Sequence, residues 1–214
     1  MRNNLFLNRL QIITENGKIA YDEIFHKGVN IIRGDNSSGK STITHFIFYV
    51  LGGAFNDFVP EARKCSLVIA EIEMNNEIYT LKREIIKDEK ENISTQTPIY
   101  FYWGDMNESF SPPIGKTWQK FGYNTTDNKK SFSNVLFDNL GLPIVKGDNN
   151  ITFHQILRLL YIDQDSPTSS LFYYEHFDSQ LTRETVSDLL LGVYNEELYE
   201  NKKRLISAEK EFEG

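Results

Sequence analysis

Two periods alternate along this chain, and they divide it into strands and helices. Residues 5–13 (Leu-Phe-Leu-Asn-Arg-Leu-Gln-Ile-Ile) predict a strand, Glu15-Asn16-Gly17-Lys18 a hairpin turn, and residues 19–25 the return strand. Val29-Asn30-Ile31-Ile32 is a short β-branched run that predicts a buried parallel strand. Ile43, Phe46, Ile47 and Val50 then recur at helical spacing, which predicts a helix over 39–51 stopped by Gly52-Gly53. Period two returns at 67–74, with Val68, Ala70, Ile72 and Met74 on one face, and Asn75-Asn76 turns the chain into a partner strand, Glu77–Arg83. Pro98–Trp103 predicts a third strand of this antiparallel group, after a charged loop at 87–97.

Residues 104–131, rich in Gly, Pro, Asn and Lys, predict no regular element, and Trp118, Phe121 and Tyr123 there read as packing residues. Ser133–Leu140 predicts a short helix ended by Gly141 and Pro143, residues 147–150 a turn, and Thr152 a cap for the helix 153–160. Thr182-Arg183-Glu184 opens another helix, carrying Val186, Leu189 and Leu190 and pausing at Gly192. Tyr194, Leu198, Asn201, Leu205, Ala208 and Phe212 follow at a/d spacing with charged flanks. That pattern predicts the start of a coiled-coil helix over 193–214, cut near its root; a single amphipathic helix on the same domain is the alternative.

Composition narrows the class. The 214 residues suit one domain or one and a half, and 15 Phe with 11 Tyr can fill a core. A formal charge of −7 argues against a generally basic nucleic-acid binder. A local basic surface from Lys82, Arg83, Lys116, Lys120, Lys129, Lys130 and Lys146 stays open beside the reading of scattered, solvated side chains. Cys65 is alone, which excludes an internal disulfide and a cysteine metal cluster, and His26, His45, His154 and His176 lack ligand spacing. No signal-peptide core opens the sequence and no run approaches the length of a membrane span, so the expectation is a cytoplasmic protein without membrane contact.

The chemistry is carried by Gly34-Asp35-Asn36-Ser37-Ser38-Gly39-Lys40-Ser41, the pattern G-x-x-x-x-G-K-[ST] between a predicted strand and a predicted helix. Gly34 and Gly39 are expected to take positive φ and turn successive amides inward. Those amides and the start of the helix form an anion site, which names a nucleoside triphosphate as ligand. Lys40 reaches the β- and γ-phosphates, Ser41 holds Mg2+, and Thr42 bonds an α-phosphate oxygen. The cradle is therefore Asn36, Ser37, Ser38, Gly39, Lys40, Ser41 and Thr42, with ATP and Mg2+ as cofactors.

The stretches Lys27–Thr42, Leu160-Tyr-Ile-Asp-Gln-Asp165 and Arg183–Gly192 running into a helix resemble the N-terminal half of the ATPase head in the SMC-like family. That family includes chromosome-structure proteins, double-strand-break repair ATPases and anti-phage relatives; Asp35 and the Tyr161–Pro167 run look closer to bacterial defence ATPases of the Lamassu or three-component type. The resemblance implies an α/β P-loop NTPase fold of the ABC-type head. Its N-terminal lobe, 1–192, would carry an antiparallel β side sheet and lead into a coiled-coil helix at 193–214. It makes Gln164 the Q-loop glutamine, which ligates Mg2+ and positions the attacking water, and puts Asn36 near the γ-phosphate. Lys40 and Gln164 are then the catalytic residues of this half. The family's Walker B acids, signature motif and switch histidine follow the coiled coil. The implied partners are thus the C-terminal half of the same head, a second head as homodimer, DNA through the full complex, and an effector subunit. An arginine that the family often places after the first strand is missing, because Thr14-Glu15-Asn16 stands there.

Three rival readings use the same residues. Leu159-Leu160-Tyr161-Ile162-Asp163 also fits a Walker B strand, which would make Asp163 a magnesium ligand of a self-contained small P-loop enzyme. Asp138-Asn139-Leu140-Gly141 matches a GTPase D-x-x-G, though the chain has no N-K-x-D. A nucleotide-switched interaction module is the third.

Overall fold

Alternation in β1 (Leu5–Thr14), β3 (Cys65–Met74) and β4 (Glu77–Glu84) turns one face of each strand toward a shared core. Leu10, Val68, Ala70, Ile72, Met74 and Leu81 lie on that face and are fully buried. Burying each large apolar side chain there stabilises the fold by about 1.5–3 kcal/mol. The computed structural model describes residues 4–55, 57–89, 91–126, 128–145, 151–162 and 178–213. They fall in two compact units, 1–141 and 142–214.

In the first unit, β2 (Ile19–Ile24), β5 (Ile99–Tyr102) and β6 (Gln119–Phe121) complete a sheet of order β2-β1-β3-β4-β5-β6, antiparallel throughout. Asn75 and Asn76 turn β3 into β4 with φ of 51° and 72°, the paired left-handed conformation a two-residue hairpin requires. Helix α1 (Lys40–Val50) packs on β3 and β4, and Phe132 of α3 (Phe132–Leu140) reaches Phe101 on β5. Ser131 caps α3 at its start, and Gly141 closes it with φ 69°. The stretch 104–131 is more ordered than its composition predicts. Asp105 accepts from the Glu108 amide to cap α2 (Met106–Phe110), and Trp118 donates to the Ser109 carbonyl beside β6.

Two placements differ from expectation. Residues 29–32 form no strand and join no ladder among the described residues, and Val29 is 79% and Ile31 69% exposed. A buried parallel strand needs neighbours on its edges, and every ladder of this sheet is antiparallel and made without residues 29–32. Arg83 is no surface cation: it is 1% exposed on β4. Its guanidinium donates to the carbonyls of Tyr49 (2.6 Å), Gly53 (2.9 Å) and Thr95 (2.5 Å) and to Thr97 Oγ1 (3.0 Å). It also lies 3.9 Å from the centre of the Tyr49 ring. The Tyr49 hydroxyl in turn donates to the Glu84 carbonyl and meets Thr97 Oγ1.

The second unit is helical where it is described. Thr152 and Gln155 form a reciprocal capping box on α4 (Phe153–Leu160). Ser179 caps α5 (Gln180–Leu191), and Gly192, at φ 70°, ends it. Arg158 and Asp178 make a buried ion pair of 2.7 Å. Helix α6 (Glu196–Glu213) packs Tyr199 inward, while Leu198, Leu205 and Phe212 of the a/d row stay exposed. The predicted turn at 147–150 lies outside the described residues.

Two outcomes follow from the first unit. A Cβ on Gly53, which follows α1, would stand 2.2 Å from Phe48 Cδ1 and 2.6 Å from the Phe48 carbonyl. Gly53→Ala should therefore lower unfolding free energy by about 1–3 kcal/mol in a denaturant titration. On the other side of the sheet, Arg9 grips Asp22 through two bonds of 2.7 Å and Gln11 adds a third of 2.9 Å. The bonds from Arg9, aided by Gln11, hold the Asp22 carboxyl below the usual range against the opposing effect of burial. A depressed folded pKa gives stability that is present above the ordinary aspartate value of about 3.9 and lost as pH falls through the folded value. Asp22→Asn should be less stable at neutral pH and lose less on acidification, followed by circular dichroism.

Candidate nucleotide site

The Gly-rich turn joins the unladdered segment 29–33 to the start of α1. Gly39 caps that helix with φ 87° and no side-chain bond, and the Ile43 amide takes up the Gly39 carbonyl. The first-turn amides ahead of Ile43 have no intrahelical acceptor, and the helix dipole adds positive potential at the same place. Lys40 Nζ folds back onto its own loop, donating to the carbonyls of Gly34 (2.9 Å) and Asp35 (2.6 Å). Phosphate oxygens arriving there would exchange neutral carbonyl partners of the ammonium for anionic ones and add direct charge attraction.

The two loop glycines serve different ends. Gly39 takes positive φ as expected, whereas Gly34 does not. A Cβ on Gly34 would instead stand 2.5 Å from Ser38 Oγ, so close approach is what favours glycine there. The second left-handed residue of the loop is Ser37, at φ 62°. Asn36 and Ser37 form the exposed tip of the turn, and Thr42 lies on the first turn of α1.

Beside the loop opens a cavity of about 510 Å³, within the range of small-molecule sites. Ser38 and Lys40 line one part, and Tyr21, Phe25, His26 and Arg33 line others. Asn30 braces this wall: its Oδ1 accepts from the His26 amide (3.0 Å) and its Nδ2 donates to the His26 carbonyl (2.8 Å). Sequence reading gave these wall residues no role. The only hint was position, since β2 and its exit immediately precede the loop strand.

Other sequence-derived candidates fall out differently. Gln164 and Asp163 lie outside the described residues. Leu159 and Leu160 are the last residues of α4, so the strand a Walker B reading requires is not formed there. Asp138 pairs with Lys130 and Gly141 closes α3, which accounts for the D-x-x-G match structurally. Among the described residues no group of three or more His, Cys, Asp or Glu could hold a metal ion. The Ser41 hydroxyl is the exposed oxygen at the loop's end. One hydroxyl beside a triphosphate fits Mg2+, which keeps waters and phosphate oxygens as its other ligands. No helix among the described residues is long and apolar enough to cross a membrane.

A family model described as AAA domain matches residues 16–213, nearly the whole chain. No curated protein matches it.

Ser37 offers a local test. A β-branched residue at φ near 60° is an outlier, whereas glycine adopts it freely. Ser37→Val should weaken Mg2+-ATP binding while Ser37→Gly holds or improves it, measured by fluorescence titration.

Proposed function

The chain belongs to the AAA-domain family, in the SMC-like class of P-loop ATPases, and from that premise we propose that it is the ATP-binding half of an SMC-like ATPase head. The observation that carries this reading is the conjunction at one place of Lys40, the open first turn of α1 and the 510 Å³ cavity. The loop amides and α1 take the β- and γ-phosphates, and Lys40 leaves its two carbonyls to join them. The base and ribose enter the cavity between Ser38 and the wall of Tyr21, Phe25 and His26. Ser41, with Gln164 in the role its family position implies, holds Mg2+, which when bound neutralises charge between the phosphates. Asn36, exposed at the loop tip, meets the γ-phosphate in the role its family position implies.

Hydrolysis in this account needs more than this chain. Val29 and Ile31 present apolar surface on a segment outside every ladder of the sheet, at the loop's entrance. Exposed apolar groups beside free backbone donors and acceptors are what an incoming strand covers. The C-terminal half of the head supplies those strands together with the general base and signature loop, and a second head closes over the nucleotide. The exposed row Leu198, Leu205 and Phe212 on α6 begins the coiled coil. DNA and an effector subunit are partners of the assembled complex, which works in the cytoplasm in repair, chromosome maintenance or phage defence.

Turnover by the chain alone tests the division of labour. Phosphate release should stay at background for the wild type, Gln164→Ala and Asp163→Ala alike. Brisk turnover abolished by Asp163→Ala would overturn the half-head reading in favour of a self-contained enzyme. In hydrogen exchange, the amides of 29–33 should exchange at nearly unprotected rates.

A further inference from the structure

Helix α1 is anchored at one end. Its buried residues are Phe46, Phe48, Tyr49 and Val50, all in its second half, whereas Lys40 to His45 are exposed or half-buried. The phosphate-binding end is thus carried by the far end, and the far end is held by Arg83. The guanidinium takes the Tyr49 carbonyl in the last turn of α1 and the Gly53 carbonyl just beyond it. Its remaining bonds go to Thr95 and Thr97, in the segment leading to β5. All four acceptors are uncharged oxygens. A cation at a helix C-terminus is favoured by the dipole, and the planar fork fixes direction in a way a point charge does not.

We propose that Arg83 is a positioning residue for the nucleotide site, setting the tilt of α1 and through it the placement of Lys40 and Ser41. Lever arithmetic gives the scale. Lys40 and Val50 are about 15 Å apart along the axis, so a tilt of about 5° at the clamped end moves the other end by about 1.3 Å. Misplacement of about 1 Å in a binding or catalytic group can cost about a hundredfold. The clamp also joins α1 to β4 and the 95–97 segment, beside the Tyr49 hydroxyl, which bonds the Glu84 carbonyl and meets Thr97, so a load on that part of the sheet can reach the phosphate loop through α1. The proposal rests on the nucleotide-binding reading.

The test compares Mg2+-ATP affinity, thermal midpoint and exchange of the 34–44 amides in the 214-residue chain. The variants are Arg83→Lys, which keeps the charge and loses the fork, and Thr97→Val, which removes one acceptor. Ile72→Val is a destabilised control in the core away from the clamp. Arg83→Lys should weaken Mg2+-ATP about tenfold or more and speed exchange at 34–44, with a smaller effect for Thr97→Val. Ile72→Val should lower the midpoint and leave affinity unchanged. If Arg83→Lys does not fold, Thr97→Val decides alone by the same two readouts. Folded clamp variants that bind Mg2+-ATP as the wild type does would overturn the proposal, leaving Arg83 a structural residue. Failure of the wild type itself to bind Mg2+-ATP would instead remove the nucleotide reading on which the proposal stands.

Discussion

The bonds between the Arg83 guanidinium and the C-terminal carbonyls of α1 are the contact on which the first unit's function depends. A buried cation is costly unless every donor finds an acceptor, and the penalty for breaking such a network exceeds its net worth. Here the acceptors come from the helix end and from the segment before β5, so satisfying Arg83 requires α1, β4 and that segment to be in place together. The opposite end of α1 is left without a side-chain cap, its amides open and its lysine turned onto neutral carbonyls. One end of the helix is over-determined so that the other can stay unsatisfied until an anion arrives.

The same asymmetry runs through the sheet. Strands β1 to β6 form one continuous antiparallel sheet, and the inner face of its central strands is buried. The segment 29–33, which shares no ladder with them, carries the loop on an unpaired edge with Val29 and Ile31 in solvent. A phosphate loop of this kind ordinarily follows a buried parallel strand, and parallel strands are covered on both faces. The unpaired edge and the uncapped helix are thus two parts of the same incompleteness. The first is suited to another strand and the second to a phosphate.

Much of this was legible in the residues. Val68, Ala70, Ile72 and Met74 alternate and are buried together, and Asn75-Asn76 supplies the left-handed pair the hairpin needs. The loop motif located the anion site because its function lies in backbone amides, which spacing alone can place. The β-branched run at 29–32 predicts a buried strand that the structure does not form, because its local pattern says nothing of neighbours and pairing is a non-local property. Arg83 was misread as surface for a related reason. An arginine in an alternating strand is buried only when distant carbonyls converge on it, and no local pattern announces that. Asp105 and Glu108, spaced as a cap and its N3 partner, were a usable signal for α2 within a stretch whose composition suggested only loop. The cavity wall had no motif, because Tyr21, Phe25 and His26 are ordinary strand-end residues until the fold sets them beside Lys40.

Calorimetric titration of Mg2+-ATP into this chain and into Lys40→Ala is the decisive measurement. A phosphate cradle built on Lys40 requires saturable binding at one site in the wild type and its loss in Lys40→Ala, with the fold of both intact. Binding that is absent from a folded wild type, or equal in the two proteins, would contradict it.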